Sequence, residues 1–381
     1  MKRLLFLFLF ILGTLPFLTI GDLNAQELHQ EFQDSWRAKV VEVLETSLRP
    51  VGGTNITAVY QRLVIEIIEG ARKGEELVIE NDVMEMKTGD VFFVEYRKTV
   101  GGGEYYSVGE PDRRWVLFFF AALFVIAVLS FGFWKGIRSI ISLLLSFVII
   151  IFFLLPQLLQ GAPPVPTIIF YSAIILALAM YITHGFNRVT HAAFLGTVLT
   201  ITFISFLAYS GVVLGNLSGF TSHGSVYLHF SSGGMLDIAG LLLGAIIIGV
   251  LGVLDDISIT QSATVREMSK AAPHLSKSEI FTRTLSIGKE HVVSLVNTLA
   301  LAYAGAALPL LLLFSQSESG FMQIINMEIF STEIIRTLVG SIGLILAVPI
   351  TTLFAVFLVM KKPGEVIDPE EEAKLPHSHS H

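Results

Sequence analysis

Seven apolar stretches beyond residue 113 constrain what this chain can fold into: Trp115 to Phe133, Ile137 to Leu155, Thr167 to Thr183, Ala192 to Val213, Leu236 to Leu254, Val292 to Phe314 and Thr337 to Met360. Each falls in or above the range of about 17–25 residues that a helix needs to cross a hydrocarbon layer about 30 Å thick. A water-soluble domain has no interior able to hide so many. Composition agrees: 53% of residues are apolar, 15% are charged and the mean hydropathy is +0.70, against about 25% charged in soluble domains. The expected fold class is an α-helical multi-pass membrane protein with about seven spans after a signal peptide. A net charge of −7 speaks against a nucleic-acid binder, which needs a basic face. Zero cysteines removes disulfides, thiolate metal sites and Cys nucleophiles, so an exported part must fold on packing alone.

Four domains follow from shifts in composition. In residues 1–25, Lys2 and Arg3 precede an uncharged run from Leu4 to Ile20 and a small-residue site at Leu23-Asn24-Ala25. That order is a secretory signal peptide, with an uncleaved first helix as the other reading; either exports what comes next. Residues 26–112 carry 9 Lys and Arg against 17 Asp and Glu. Short β-type runs recur there at Ala38 to Leu44, Tyr60 to Ile68, Glu76 to Glu80, Val91 to Tyr96 and Tyr105 to Val108, separated by Gly-marked turns. Five such runs predict a small extracytoplasmic all-β barrel, OB-like in strand number. Its acidity disfavours nucleic acid and leaves a ligand, a partner or a spacer role. Residues 113–362 form the membrane domain, and 363–381 an acidic tail ending in His377, His379 and His381, read as solvated with weak metal binding as the alternative.

Loop charge orients the spans. With the β domain outside, the inner loops hold the basic residues Lys135, Arg138 and Arg188, then Arg266, Lys270, Lys277, Arg283 and Lys289, and finally Lys361 and Lys362, whereas the outer loops contain one basic residue, Arg336, at their very edge. This bias predicts a cell-membrane protein with its C-terminus in the cytoplasm.

The chemistry-bearing segment runs from Gly240 to Met268. Asp255 and Asp256 interrupt an apolar run whose periodicity continues beyond them. One helix from Asp237 to Arg266 would be about 43 Å long and would place the pair roughly 6 Å inward of the bilayer centre; a helix ending at Leu254 would leave the pair in the interface, capping the next element. Ala245, Gly249, Gly252, Asp256, Thr260, Thr264 and Glu267 fall on one stripe, with Asp255, Ser258, Ser262 and Arg266 beside it. Gly244, Gly249 and Gly252 would let a neighbouring helix approach. Intramembrane carboxylates cost several kcal/mol unless paired or protonated, and mark ion pathways. Thr260 and Gln261, with Ser294, Asn297 and Thr298 on the next span, are the candidate supporting polar groups, and Asn297 is expected to reach an aspartate or to glue helices. A capping box at Ser276 to Glu279 opens that span, and Pro309 and Pro349 are candidate kinks. His184, Arg188 and His191 share a face at an inner end. His223 and His229 sit in an uncharged outer loop, Gly215 to Gly234, that could dip into the membrane.

The exported barrel, the seven spans and especially the segment GVLDDISITQSATVREM, Gly252 to Met268, resemble the YibE/F-like family of bacterial membrane proteins, over nearly the whole chain after the signal. That resemblance implies a multi-pass cell-membrane protein without fixing an activity. DDISITQSATVRE and TLSIGKEHVVSLVNTLAL are similar, more locally, to the resistance-nodulation-division transporters and the related SecD/SecF proteins. By that resemblance Asp255 and Asp256 would carry protons. The chain has no duplicated half and no counterpart of that superfamily's intramembrane Lys, so a homo-oligomer or a paired membrane subunit would complete it. The absence of GxxxxGK[ST], HExxH and GxSxG signatures argues against an enzyme, and no cofactor is expected. Two functions remain: a proton- or cation-coupled secondary transporter or transporter-like subunit, and a non-transporting scaffold, sensor or assembly factor acting through the β domain.

Overall fold

The computed structural model describes residues 32–50, 57–70, 72–98, 103–318 and 320–360; the signal peptide and the His-containing tail lie outside them. Two compact units divide after Phe124.

The first unit contains an antiparallel sheet of β1 (Phe32–Pro50), β2 (Thr57–Ile67), β3 (Glu76–Asn81), β4 (Val91–Lys98) and β5 (Glu104–Pro111), in the order β3-β2-β1-β4-β5. All five expected strands are present. β1 is long enough to serve both halves, pairing Phe32 to Lys39 with β4 and Ala38 to Pro50 with β2. Bulges between Val40 and Glu42 and between Val43 and Glu45 bend it, and β3 approaches β5, giving a half-barrel. Alternation puts Leu63, Ile65 and Ile67 of β2 and Phe92, Val94 and Tyr96 of β4 on the buried face. Trp36 stacks on Tyr96 with ring centroids 5.0 Å apart. Gly70, at φ +108°, lets the chain turn against that indole where any Cβ would collide with it. Gln61 and Asn81, both buried, hold the loop that follows β3: Gln61 Nε2 donates to the Met86 carbonyl (2.9 Å) and its Oε1 accepts from Met86 N (2.7 Å).

At the end of β5, Arg114 and Arg37 bracket Asp112, at 2.9 and 2.8 Å. The Arg114 hydrogen bond is the main cause that lowers the Asp112 carboxyl to about 2. Arg72 binds Glu104 (3.1 Å) and lies over the rings of Trp36, Tyr96 and Tyr106. Burial, then the Glu104 carboxylate, pushes the Tyr106 hydroxyl up to about 12.

The helices are α1 (Arg114–Ile149), which continues through a π-helical turn (Ile150–Leu154) into α2 (Leu155–Leu159), then α3 (Pro164–His184), α4 (Arg188–Leu214), α5 (His223–Ser231), α6 (Ile238–Ala271), α7 (Lys277–Ala306), α8 (Leu308–Ser315), α9 (Phe321–Ile325) and α10 (Glu328–Leu358). Polar side chains start them where the sequence allows: Asn187 accepts from Val189 N and Thr190 N, Asp237 from Gly240 N, and Ser276 and Glu279 form the expected capping box. Among the described residues five helices are long and apolar enough to cross a membrane, or six if α7 and α8, bent by 66° at their junction, make one broken span. Pro309 sits just past that bend, whereas Pro349 lies inside a continuous α10.

The expected first two spans fall within a single 46-residue run, Arg114–Leu159. An uninterrupted helix of that length would measure about 69 Å, twice a bilayer core. The run is broken at Phe133, whose φ of 42° and ψ of −124° are not helical. Beyond it Gly136 comes back against the carbonyl of Val128, which a Cβ would meet at 2.6 Å; in a straight helix these residues would be about 12 Å apart along the axis. The outer loop expected to dip into the membrane holds the short α5, none of whose residues is buried.

α10 packs on α4, α6 and α7, and α6 packs on α3 and α4 as well. Glycines set these contacts: Gly244 of α6 seats Ile168 of α3, Gly343 of α10 seats Ile204 of α4, and Gly340 lies against Val250 and Leu299.

Candidate functional site

α6 passes unbroken through Asp255 and Asp256, so the pair does not cap a following helix, and the expected helix end at Leu254 is replaced by a helix that continues to Ala271. Three residues beyond Asp255, Ser258 Oγ accepts from Thr351 Oγ1 of α10 (3.2 Å), and Thr351 in turn rests on Gly196 of α4. That contact fixes the level of the pair along the bundle. Gly196 lies eight residues from the start of α4 at Arg188, and Thr351 seven from the end of α10, which the sequence follows with Lys361-Lys362. Ser258 is therefore about 12 Å along the axes from the basic end of the bundle, and Asp255 about 4–5 Å deeper.

Asp255 is half-buried. Its Oδ1 is fully enclosed and has no hydrogen-bond partner. On one side, toward the basic end, lies a sealed polar seam of Ser258, Gln261 and Ser262, all buried. Gln261 Nε2 donates to the Thr284 carbonyl of α7 (3.0 Å) and to Thr352 Oγ1 of α10 (2.8 Å), so one amide ties three helices. Gly288 of α7 makes room for it: a Cβ there would stand 2.8 Å from both Gln261 Nε2 and Oε1. Ser262 Oγ is another buried polar atom without a partner.

The other side is open. Ala245, Gly249, Gly252, Asp256 and Thr260, five members of the stripe read from the sequence, are exposed, and a Cβ at Gly252 would meet nothing within 4 Å. Close packing therefore uses Gly244, while Gly249 faces only the Tyr303 hydroxyl, 3.1 Å from a Cβ there. Thr260 contributes its carbonyl to the Thr264 hydroxyl. Ser294, Asn297 and Thr298 are exposed on α7, and the Thr298 hydroxyl donates to the Ser294 carbonyl (3.0 Å); the unpartnered Asp255 Oδ1 does not receive the expected Asn297 amide. His191 Nδ1 bonds the Tyr181 hydroxyl (2.8 Å).

Several partners were not foreseen. Thr284, Gly288, Thr351 and Thr352 complete the seam, and the adjacent Thr pair in an otherwise apolar span was the signal for them. Glu333 and Arg336 of α10 form an ion pair (2.8 Å) several turns from the basic end. Glu328 accepts from Gly219 N (2.6 Å) and the Ser218 hydroxyl (2.8 Å), fastening the α4–α5 loop to α10. Among the described residues no group of three His, Asp or Glu is placed to hold a metal.

Long apolar helices that meet through glycines and bury hydroxyls and an amide between them define a helical membrane protein with an appended β unit. The chain belongs to the YibE/F-like family, whose description, YibE/F-like protein, matches residues 120–361. Comparison with curated proteins and with solved structures gives no match.

Proposed function

We propose that this protein is a secondary transporter, or a transporter-like membrane subunit, coupled to a proton or cation gradient, with Asp255 and Asp256 as the coupling carboxylates. The observation that carries the reading is the enclosed, unpartnered Oδ1 of Asp255 in the middle of the continuous α6, set between the Gln261 seam and an open face. A carboxylate left there without a function would cost several kcal/mol, and binding a proton or a cation removes that cost. The local likeness of Asp255 to Glu267 to the resistance-nodulation-division and SecD/SecF transporters supports the same role, and a second copy or a paired subunit completes the assembly over the open face.

The accompanying topology has seven crossings in the cell membrane, counting the break at Phe133 as a reversal and α7 with α8 as one crossing. The exported β unit, whose order β3-β2-β1-β4-β5 with β3 near β5 suits an OB-like barrel, lies outside, and the basic end of the bundle faces the cytoplasm. Removal of the β unit by protease added to intact spheroplasts checks this.

Proton uptake into vesicles under an imposed pH gradient tests the coupling. Asp255→Asn and Asp256→Asn are expected to abolish it while the protein still inserts; uptake unchanged in both variants would sink the proposal. The separately packed β core favours a second reading, a scaffold or sensor, in which both variants keep function and deletion of residues 26–112 destroys it.

A further inference from the structure

We infer that the turn of α1 at Phe133 holds one anionic phospholipid, with its acyl chain in an apolar cavity and its phosphate at Lys135 and Arg138. The inference is independent of the coupling role proposed for Asp255 and of the side of the membrane that the turn faces.

The sequence leaves only Trp134, Lys135 and Gly136 between the apolar stretch that ends at Phe133 and the one that begins at Ile137. A reversal that short is made by strain. Phe133 takes a φ of 42°, a region that bulky side chains avoid, and Gly136 comes against the Val128 carbonyl. Backbone strain persists where the surroundings over-determine it, and it gathers at sites that clamp a ligand. Beside this reversal lies a cavity of about 250 Å³ lined by Leu129, Phe133, Trp134 and Ile137. It is smaller than the roughly 300–1,000 Å³ of pockets that take drug-sized solutes, and its four walls are apolar side chains, which suit a hydrocarbon chain.

The bundle leaves this cavity to the lipid. All four lining residues belong to α1, and among the described residues α1 enters the bundle core only at Ile149. Phe133 and Trp134 are 74% and 76% exposed. An indole on a membrane protein's surface favours the boundary between hydrocarbon and water, the level at which phosphates lie.

Charge then selects the headgroup. Lys135 and Arg138 are both exposed at the turn, and Arg138, four residues after Trp134, shares its helical face. No acidic residue occurs between Arg114 and Leu159. The ion pairs described in the bundle, Arg266–Glu267 and Glu333–Arg336, use neither cation. Two unneutralised cations beside an apolar cavity match a ligand that carries a chain and an anion within about one helical turn of each other. A phospholipid is built that way, and the Arg138 guanidinium suits two oxygens of one phosphate. A net negative headgroup neutralises the pair; a zwitterionic one brings its own cation and does not.

Trp134 is also the reporter. The chain has three tryptophans; Trp36 is buried in the β unit, so Trp115→Phe leaves Trp134 as the exposed one. The full-length Trp115→Phe protein is reconstituted in phosphatidylcholine vesicles that contain a rising share of lipid brominated on its acyl chains, and quenching of Trp134 fluorescence is followed. Brominated phosphatidylglycerol is expected to quench at a several-fold lower share than brominated phosphatidylcholine. One basic side chain near an anionic lipid is worth about fivefold in affinity, so Arg138→Gln should raise the half-quenching share of phosphatidylglycerol roughly fivefold. With Lys135→Gln added, the two lipids should quench alike. A control carrying Lys270→Gln and Arg283→Gln, both at exposed positions, removes as much charge from the other basic loops and should keep the preference. Equal quenching by the two lipids before any charge is removed, a preference that survives the loss of both Lys135 and Arg138, or one lost equally in the control, overturns the inference.

Discussion

Two glycines in this bundle look alike in sequence and are expected to respond in opposite ways to the same change. Gly288 faces the seam: an added Cβ would lie 2.5 Å from Val348 Cγ1 and 2.8 Å from both polar atoms of the Gln261 amide. α7 then either retreats from α6 and α10, or Gln261 gives up its bonds to the Thr284 carbonyl and Thr352 Oγ1. Overpacking of this kind costs about 1–3 kcal/mol, and a buried amide left unsatisfied about 1–3 kcal/mol more. The gain from replacing a helical glycine by alanine returns only about 1 kcal/mol. The net loss for Gly288→Ala is thus roughly 1–5 kcal/mol, a fall in Tm on the order of 2–20 °C for a unit of this size. Gly252 opens on space, so Gly252→Ala keeps the helical gain without the clash and should raise Tm by a few degrees. Thermal unfolding of both variants in one detergent, followed by loss of the monodisperse peak on gel filtration, makes the comparison. Equal stability, or Gly288→Ala the more stable, would refute the packing assigned to the Gln261 seam.

Asp255→Leu is expected to raise the thermal stability of the protein while abolishing coupled uptake, because it removes an unpartnered polar atom from the bundle; a large loss of stability would show instead that the carboxyl holds the fold together. In the β unit, Asp112 has a folded-state pKa lowered, chiefly by Arg114, from 3.8 to about 2. Its contribution is therefore complete above about pH 4 and is lost as the pH falls through about 2. Hydrogen-exchange protection of β1 and β5 in the full-length protein should fall across that window, and Asp112→Asn should flatten the change; identical profiles for the two proteins would contradict the Arg37–Asp112–Arg114 arrangement.

The strands were legible because a soluble sheet obeys rules written in its sequence: β-type runs, period-two burial and glycine turns. The capping box at Ser276 and the continuity of α6 were legible for a similar reason, since local hydrogen bonding and helical spacing carry over into a membrane. Which face of α6 packs was not. In lipid the surroundings are as apolar as the neighbouring helices, so hydropathy does not distinguish a buried leucine from an exposed one. The small-residue stripe through Gly249 and Gly252 looked like an interface and is open, while the seam lies on the line of Ser258, Gln261 and Ser262. Asn297, the most polar group of its span, is exposed for the same reason. The break at Phe133 was legible as the end of the first apolar stretch, with Lys135 and Arg138 after it, but its geometry was not, because a bulky residue there adopts a positive φ that sequence rules reserve for glycine.

The 34 residues of α6 span about 51 Å, and along that length Gly244 seats Ile168 of α3, Val250 lies against Gly340 of α10, Ser258 bonds Thr351 and Gln261 bonds α7 and α10. A helix gripped at so many levels cannot tilt by itself. A pull on the turn at residues 272–276 is therefore shared among the helices around it, which shift together or hold still together.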